Sequence, residues 1–225
     1  MNYNKKPNLV AISDFMRHYS IQYFKQKGFN IDCRFCYNGV DLDFYKYDPS
    51  IKRTNRLLYV GRFSSFKGAH HAIELAKRVN LPIDLIGAAK FVDDPNYVKQ
   101  IESMCDSQQV VMYKDVDNDF KLRKIQEAKC LIFPSRMNEP FGLGIVQAMA
   151  TGSPVIAFDD GAIKEIITPE TGFVCNTVDE MIVAVNKIDT IKPEDCRKRA
   201  ELFSKDNMTK NKEKLYRDVI AGKEW

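Results

Sequence analysis

The sequence predicts an α/β domain built on an open, doubly wound parallel sheet. Three observations carry that prediction. Apolar runs of strand length recur between Arg56 and Val174, helical periodicity fills the gaps between them, and the segments after the first and fourth runs are rich in Gly, Pro and charge. Parallel strands covered on both faces read as near-continuous apolar runs, and ligands of such sheets bind beyond the carboxyl ends of the strands.

The elements follow in chain order. Ser13 can cap a helix running to about Lys27, with Gly28 as its stop, and a strand-like stretch then ends at Asn38-Gly39-Val40-Asp41. Asp43 to Arg56, polar and broken by Pro49, reads as a linker. The apolar runs are Leu57-Leu58-Tyr59-Val60, Ile83-Asp84-Leu85-Ile86, Val110-Val111-Met112-Tyr113, Cys130-Leu131-Ile132-Phe133 and Val155-Ile156-Ala157-Phe158. Ala72, Leu75, Ala76 and Val79 keep the spacing of one helix face, as do Ile145, Ala148 and Met149 after Gly142. Asp206 or Asn207 can cap a last helix carrying Met208, Leu215, Val219 and Ile220, long enough to lie across another body. The expected division is residues 1–48 as a flank with its linker, 49–205 as the α/β domain and 206–225 as a crossing helix.

Composition narrows the class. With 225 residues, 44% hydrophobic and 28% charged, the chain can bury a sizeable core without disulfides. A net charge of +4 is too small for a dedicated nucleic-acid binder, so no nucleic-acid partner is expected. No run approaches the roughly 18 apolar residues of a membrane span. The start Met1-Asn2-Tyr3-Asn4-Lys5-Lys6 lacks the apolar segment of a secretory signal, so the expected location is cytoplasmic, at most peripheral to a membrane. Cys33 and Cys36 form a lone CxxC; none of His18, His70 and His71 stands at zinc-ligand spacing from it, and reduced, structural thiols are expected.

Two loops carry chemistry. Gly61-Arg62-Phe63-Ser64-Ser65-Phe66-Lys67-Gly68 follows the first run and precedes a helix. Arg62 and Lys67 flank a tight turn beside a helix N-terminus, where a phosphate or diphosphate gains charge-assisted hydrogen bonds. The loop matches neither GxGxxG nor GxxxxGK[ST], which removes support from dinucleotide and P-loop readings. After the fourth run comes Pro134-Ser135-Arg136-Met137-Asn138-Glu139-Pro140-Phe141-Gly142-Leu143. Glu139 can accept hydrogen bonds from hydroxyls there, while backbone N–H groups of Phe141, Gly142 and Leu143 at a helix start can face hydroxyl or phosphate oxygens. Gln147 lies about one turn further along that helix.

Together these loops resemble the donor-binding domain of the family-4 glycosyltransferases, retaining enzymes of the GT-B fold. The family pattern GR-x4-KG is met by Gly61, Arg62, Lys67 and Gly68; EPFGL-x3-EAMA-x-G-x-PV is met by Glu139 to Leu143, Ala148 to Ala150, Gly152, Pro154 and Val155. Ile12-Ser13-Asp14-Phe15-Met16 and Tyr37-Asn38-Gly39-Val40-Asp41 are similar to the family's segments before its interdomain linker. The resemblance therefore implies a Rossmann-like sheet, the C-terminal half of a GT-B fold, flanked by interdomain helices.

What the resemblance implies for the site is specific. Arg62 and Lys67 neutralise the donor diphosphate and stabilise the leaving group, and Glu139 holds the transferred sugar. The amides of Phe141 and Gly142 meet its hydroxyls, the Leu143 amide a phosphate oxygen, and backbone near Asp115 and Val116 the base edge, with Gly61 also among the donor-binding residues. No metal and no cofactor are expected; the nucleotide sugar, a UDP-sugar or GDP-mannose type, is a co-substrate. Two departures stand out. The family's second glutamate, which binds ribose hydroxyls, is Gln147 here, a weaker acceptor. The family's N-terminal domain, which supplies much of the acceptor site, is matched only by its last helix and strand. The expected function is thus hexosyl transfer with retention to a carbohydrate, lipid or protein acceptor, this chain supplying the donor-binding half and an N-terminal domain partner or self-association completing it. The alternative is a catalytically inactive nucleotide-sugar-binding or regulatory subunit.

Overall fold

The computed structural model describes residues 8–90 and 94–225. The opening Met1–Lys6 stretch, read above for a secretory signal, lies outside the described residues. In chain order the elements are β1 (Leu9–Ala11), α1 (Asp14–Gln26), β2 (Cys33–Phe35), β3 (Leu57–Val60), α2 (Ala69–Arg78), β4 (Ile83–Gly87), α3 (Pro95–Ser103), β5 (Val110–Lys114), α4 (Asn118–Glu127), β6 (Cys130–Phe133), α5 (Leu143–Ala150), β7 (Val155–Phe158), α6 (Ile163–Ile166), β8 (Gly172–Cys175), α7 (Val178–Lys187), α8 (Pro193–Glu201) and α9 (Lys205–Ile220).

Every pairing in the main sheet is parallel, and the strand order is β5-β4-β3-β6-β7-β8. Side chains alternate across each strand, and the core divides accordingly. Leu57, Tyr59, Cys130 and Ile132 face one layer with Ile73 of α2, Ile101 of α3 and Met181 of α7. Leu58, Leu131 and Phe133 face the other with Ile125 of α4, Val146 of α5 and Ala200 of α8. Burial on both faces is why the runs carry no polar alternation. The chain winds outward from β3 to β5, then returns to place β6 on the other side of β3. That reversal opens a crevice beyond the strand ends, between the loops that follow β3 and β6.

The flank forms a second, two-stranded parallel sheet, β1 with β2, with α1 packed on it. Ser13 caps α1 as expected, accepting from the Met16 amide. Tyr45, in the expected linker, is buried with the main core. The last helix is capped by Ser204, which accepts from the Asn207 amide, not by Asp206 or Asn207. Ser204 has the extended backbone of a cap because its neighbourhood pairs with Val40: the Val40 amide donates to Phe203 O at 2.8 Å and the Lys205 amide to Val40 O at 2.9 Å. From there α9 crosses to the small sheet, where the Trp225 indole donates to Leu9 O at 2.8 Å. No helix among the described residues is long and apolar enough to cross a membrane.

Candidate functional site

The two loops meet at the crevice because glycine lets their backbones touch. Gly68 has φ 73°, and a Cβ there would stand 2.3 Å from Pro134 O in the facing loop. The Arg136 amide donates to Phe66 O at 2.8 Å and ties the loops directly. Beside this contact the Lys67 Nζ donates to Glu139 Oε2 at 2.6 Å, and Ser135 Oγ donates to the same oxygen at 3.1 Å. Glu139 is only 7% exposed, so the pair sits in a low-dielectric pocket backed by the Phe133 ring, 5.6 Å from the ammonium.

Glu139 is held from behind by a residue the sequence did not reveal. Asp160, after β7, accepts from three successive amides, Met137 at 2.8 Å, Asn138 at 3.2 Å and Glu139 at 3.0 Å. Asn138 adopts φ 55° to turn its amide inward, which is the geometry of a backbone anion nest with the chain's own carboxylate as the anion. The next residue, Gly161, would bring a Cβ within 2.3 Å of Glu139 O. An Asp-Gly pair reads as an ordinary turn, and nothing local marks its partners some twenty residues upstream.

Phe141 splits its roles. Its ring is buried among Tyr37 and Phe203, at 5.9 and 5.8 Å between centroids, while its amide and those of Gly142 and Leu143 donate to no acceptor among the described residues. They open the first turn of α5, with Gly142 at φ 100° as its cap. The flank reaches this loop as well: Ser13 Oγ donates to Pro140 O at 2.6 Å, and Glu165 accepts from the Asp14 and Phe15 amides at 2.9 and 2.6 Å. Burial, with the Glu165 carboxylate nearby, pushes the Tyr37 phenol up to about 12.

Gly61, Arg62, Asp115 and Val116 line one cavity of about 440 Å³ with Asn118 and Lys121, at the ends of β3, β4 and β5. The Arg62 side chain is exposed and makes no hydrogen bond or ion pair among the described residues. Asp115 sits at φ 51°, donating its amide to Gly87 O at 3.0 Å and accepting from the Ala89 amide at 3.3 Å. Asp117, two residues on, caps α4 by accepting from the Phe120 amide. Both carboxylates of this Asp-x-Asp run are therefore directed at backbone, and no cluster of three His, Cys, Asp or Glu side chains suited to a metal forms among the described residues. Gln147 is half-buried on α5 and is not among the residues lining the cavity.

The site's surroundings match known proteins. The chain is 29% identical over 201 residues to an uncharacterized 41.2 kDa protein of the Klebsiella pneumoniae cps region, covering 80% of this chain and 54% of that one. It is 24% identical over 181 residues to the Escherichia coli O-antigen chain mannosyltransferase C, covering 75% and 48%. The chain thus spans about half the length of these relatives. Among solved structures, AviGT4, a glycosyltransferase involved in avilamycin A biosynthesis, superposes with a TM-score of 0.80 at 21% identity over 96% of this chain and 65% of that one. Anabaena HepE in complex with UDP superposes at 0.79 and 22% identity, over 94% and 64%. These likenesses give the fold, a GT-B type sheet. The model for glycosyl transferases group 1 matches residues 45–207, a span that takes in the whole main sheet and both loops at its crevice, and the chain accordingly belongs to that glycosyltransferase family.

Proposed function

We propose that the chain binds a nucleoside-diphosphate sugar at the crevice and forms the donor-binding half of a retaining, metal-independent hexosyltransferase. The observation that carries this reading is the meeting of Lys67 and Glu139 at the reversal point of the sheet, next to the unengaged amides of residues 141–143. A cation, a carboxylate and helix-start amides are what a sugar diphosphate requires: donors for phosphate oxygens and an acceptor for hydroxyls. Arg62, free to swing, and Lys67 offset the charge that grows on the diphosphate as the glycosidic bond breaks. Glu139, fixed by Ser135 and the Asp160 nest, orients the sugar. The Phe141 and Gly142 amides meet sugar hydroxyls, the Leu143 amide a phosphate oxygen, Gln147 the ribose, and backbone at Asp115 and Val116 the base. The binding of UDP by the similar HepE supports a nucleotide-sugar donor.

Calorimetric titration with UDP-glucose, GDP-mannose, ADP-glucose and free sugar phosphates tests the reading. Saturable one-to-one binding of a nucleotide sugar, lost in Glu139→Ala for the sugar nucleotide but kept for the bare diphosphate, is the expected result. Absence of binding to every nucleotide sugar overturns it. The second reading, an inactive binding subunit, is favoured by Gln147 at the ribose position; donor binding without hydrolysis or transfer under any condition would select it.

A further inference from the structure

We infer that Ser13, on the flank, is a positioning residue for the donor: its hydroxyl fixes the peptide between Pro140 and Phe141 and so aims the Phe141 amide at the sugar half of the ligand. The inference rests on the donor-binding reading above and adds to it a residue from outside the main sheet.

Geometry comes first. Ser13 is fully buried, and its hydroxyl has two partners: Oγ accepts from the Met16 amide at 3.1 Å and donates to Pro140 O at 2.6 Å. A hydroxyl has one proton to give, and capping α1 does not use it. Here the proton goes to a residue 127 positions away, next to Glu139 in the site loop. Pro140 has no N–H, so its carbonyl is the only backbone group through which a hydrogen bond can hold it. The peptide that follows is planar and trans, with C=O and N–H pointing in opposite directions, and fixing one fixes the other. With Pro140 O turned to Ser13, the Phe141 N–H faces away from the flank, and it donates to no acceptor among the described residues.

The tether is itself held. Ser13 has the extended backbone of a helix cap, and the Glu165 carboxylate of α6 accepts from the two amides that follow, Asp14 at 2.9 Å and Phe15 at 2.6 Å. The Phe141 ring packs against Tyr37 and Phe203, so this peptide is gripped by the carbonyl before the amide and by the side chain after it. Met16 N–H, Ser13 O–H and Pro140 C=O form one chain of hydrogen bonds from the start of α1, and each bond in such a chain polarises the next. An amide ordered in advance costs a ligand less to engage. The Leu143 amide lies two peptides further on, in the first turn of α5 beyond the Gly142 cap. Loss of the tether should therefore be felt at the sugar and not at the diphosphate.

Calorimetry on the full chain, as wild type, Ser13→Gly and Ser13→Thr, tests this with UDP-glucose, GDP-mannose and ADP-glucose, each beside its bare nucleoside diphosphate. Gly removes the hydroxyl at little cost to the cap, and Thr keeps both. Ser13→Gly should bind the preferred nucleotide sugar about five-fold more weakly than wild type, the scale of one hydrogen bond, and change the matching diphosphate less than about two-fold, while Ser13→Thr stays within about two-fold on both. Equal losses on the two ligands, which is a merely structural role, no loss on either, or a Thr variant that behaves like Gly overturns the inference and leaves donor binding standing. Wild type alone supplies a second measurement should Ser13→Gly not fold: the order parameter of the Phe141 amide should be about 0.85 without ligand, and a value below about 0.6 overturns the inference. Failure of wild type to bind any of the three nucleotide sugars overturns the donor-binding reading and this inference with it.

Discussion

Lys67 and Arg62 occupy one loop and carry one charge, yet they should respond differently to removal. Arg62 is exposed and unpaired among the described residues, so Arg62→Ala should leave the melting temperature within a degree or two and weaken nucleotide-sugar binding by about 1.5–3 kcal/mol. Lys67 is the partner of a buried carboxylate. Lys67→Ala leaves Glu139 with only the Ser135 hydroxyl, and breaking a buried pair from one side costs about 3–5 kcal/mol when no partner remains. A loss of about 2–3 kcal/mol of stability is expected here, since one donor stays and the site is not fully dry. The double variant Lys67→Ala/Glu139→Gln should regain most of that stability but not the binding. Denaturant midpoints beside calorimetry separate the two effects; equal stability loss in both single variants would show that Lys67 and Glu139 do not act as a pair. The burial of Lys67 beside Glu139 depends on a contact between two loops, which local spacing does not encode.

At the scale of elements, β4 carries a charge through the core. Asp84 is 4% exposed in mid-strand, with Arg56 Nε at 2.8 Å and Lys124 Nζ at 2.8 Å. Arg56 also donates to Ile83 O at 3.3 Å, so the triad joins the entry to β3, the middle of β4 and α4. Asp84→Ala leaves two cations facing each other at a dry position and should cost about 3–5 kcal/mol, read as a shift in urea midpoint; a loss under about 1 kcal/mol would mean that solvent reaches the triad. Helix α2 supplies a pH dependence. His70 and His71 sit at its start, His70 within 2.8 Å of the Tyr97 hydroxyl and His71 edge-on to Phe158. Burial lowers both pKa values below 6.5. The unfolded chain then binds more protons than the folded one as pH falls through 6.5, so stability should drop on acidification from pH 7.5 to 5 and recover on return. His70→Phe and His71→Phe should each flatten the dependence of melting temperature on pH in that window; an unchanged slope in both would place its origin elsewhere.

These elements also show what the sequence made legible. The five apolar runs became β3 to β7 within a residue of their expected ends, because burial on both faces writes a continuous apolar pattern. Gly172–Cys175, at the edge opposite β5, begins with Gly, which leaves only Phe173, Val174 and Cys175 as a run too short to stand out. At three residues each, β1 and β2 are too short to hold a period. In the site, Lys67, Glu139 and the α5 start were legible because they are spaced along two continuous loops. Asp160 was not, since the amides it holds lie on the loop after β6, some twenty residues upstream, which only the parallel pairing of β6 with β7 brings close.

On the donor-binding reading, the molecule as a whole would grip a donor from one side. Arg62, Lys67, Glu139 and the amides at the start of α5 all belong to segments at the carboxyl edge of one sheet. The flank is fastened to the site loop by Ser13 Oγ on Pro140 O and to α6 by the Asp14 and Phe15 amides on Glu165, and α9 ties it down again at Val40 and Leu9. Glycosyl transfer needs an acceptor hydroxyl held near the anomeric carbon, and such positioning supplies roughly 7–11 kcal/mol of barrier reduction. None of the site residues named above supplies it. Water meanwhile reaches an open anomeric carbon freely, which favours hydrolysis over transfer. The chain as it stands should therefore bind a radiolabelled nucleotide sugar, release the nucleotide slowly to water, and transfer sugar to a panel of carbohydrate and lipid acceptors at no more than a trace of the hydrolytic rate. On the reading that the same guanidinium steadies the leaving diphosphate, Arg62→Ala should reduce that hydrolysis in step with binding. Robust transfer by the monomeric chain, with turnover well above hydrolysis, would mean that the β1–α1–β2 flank builds an acceptor site after all, and would move the search for it to the face of α1 that carries Tyr19 and Tyr23, both about half exposed.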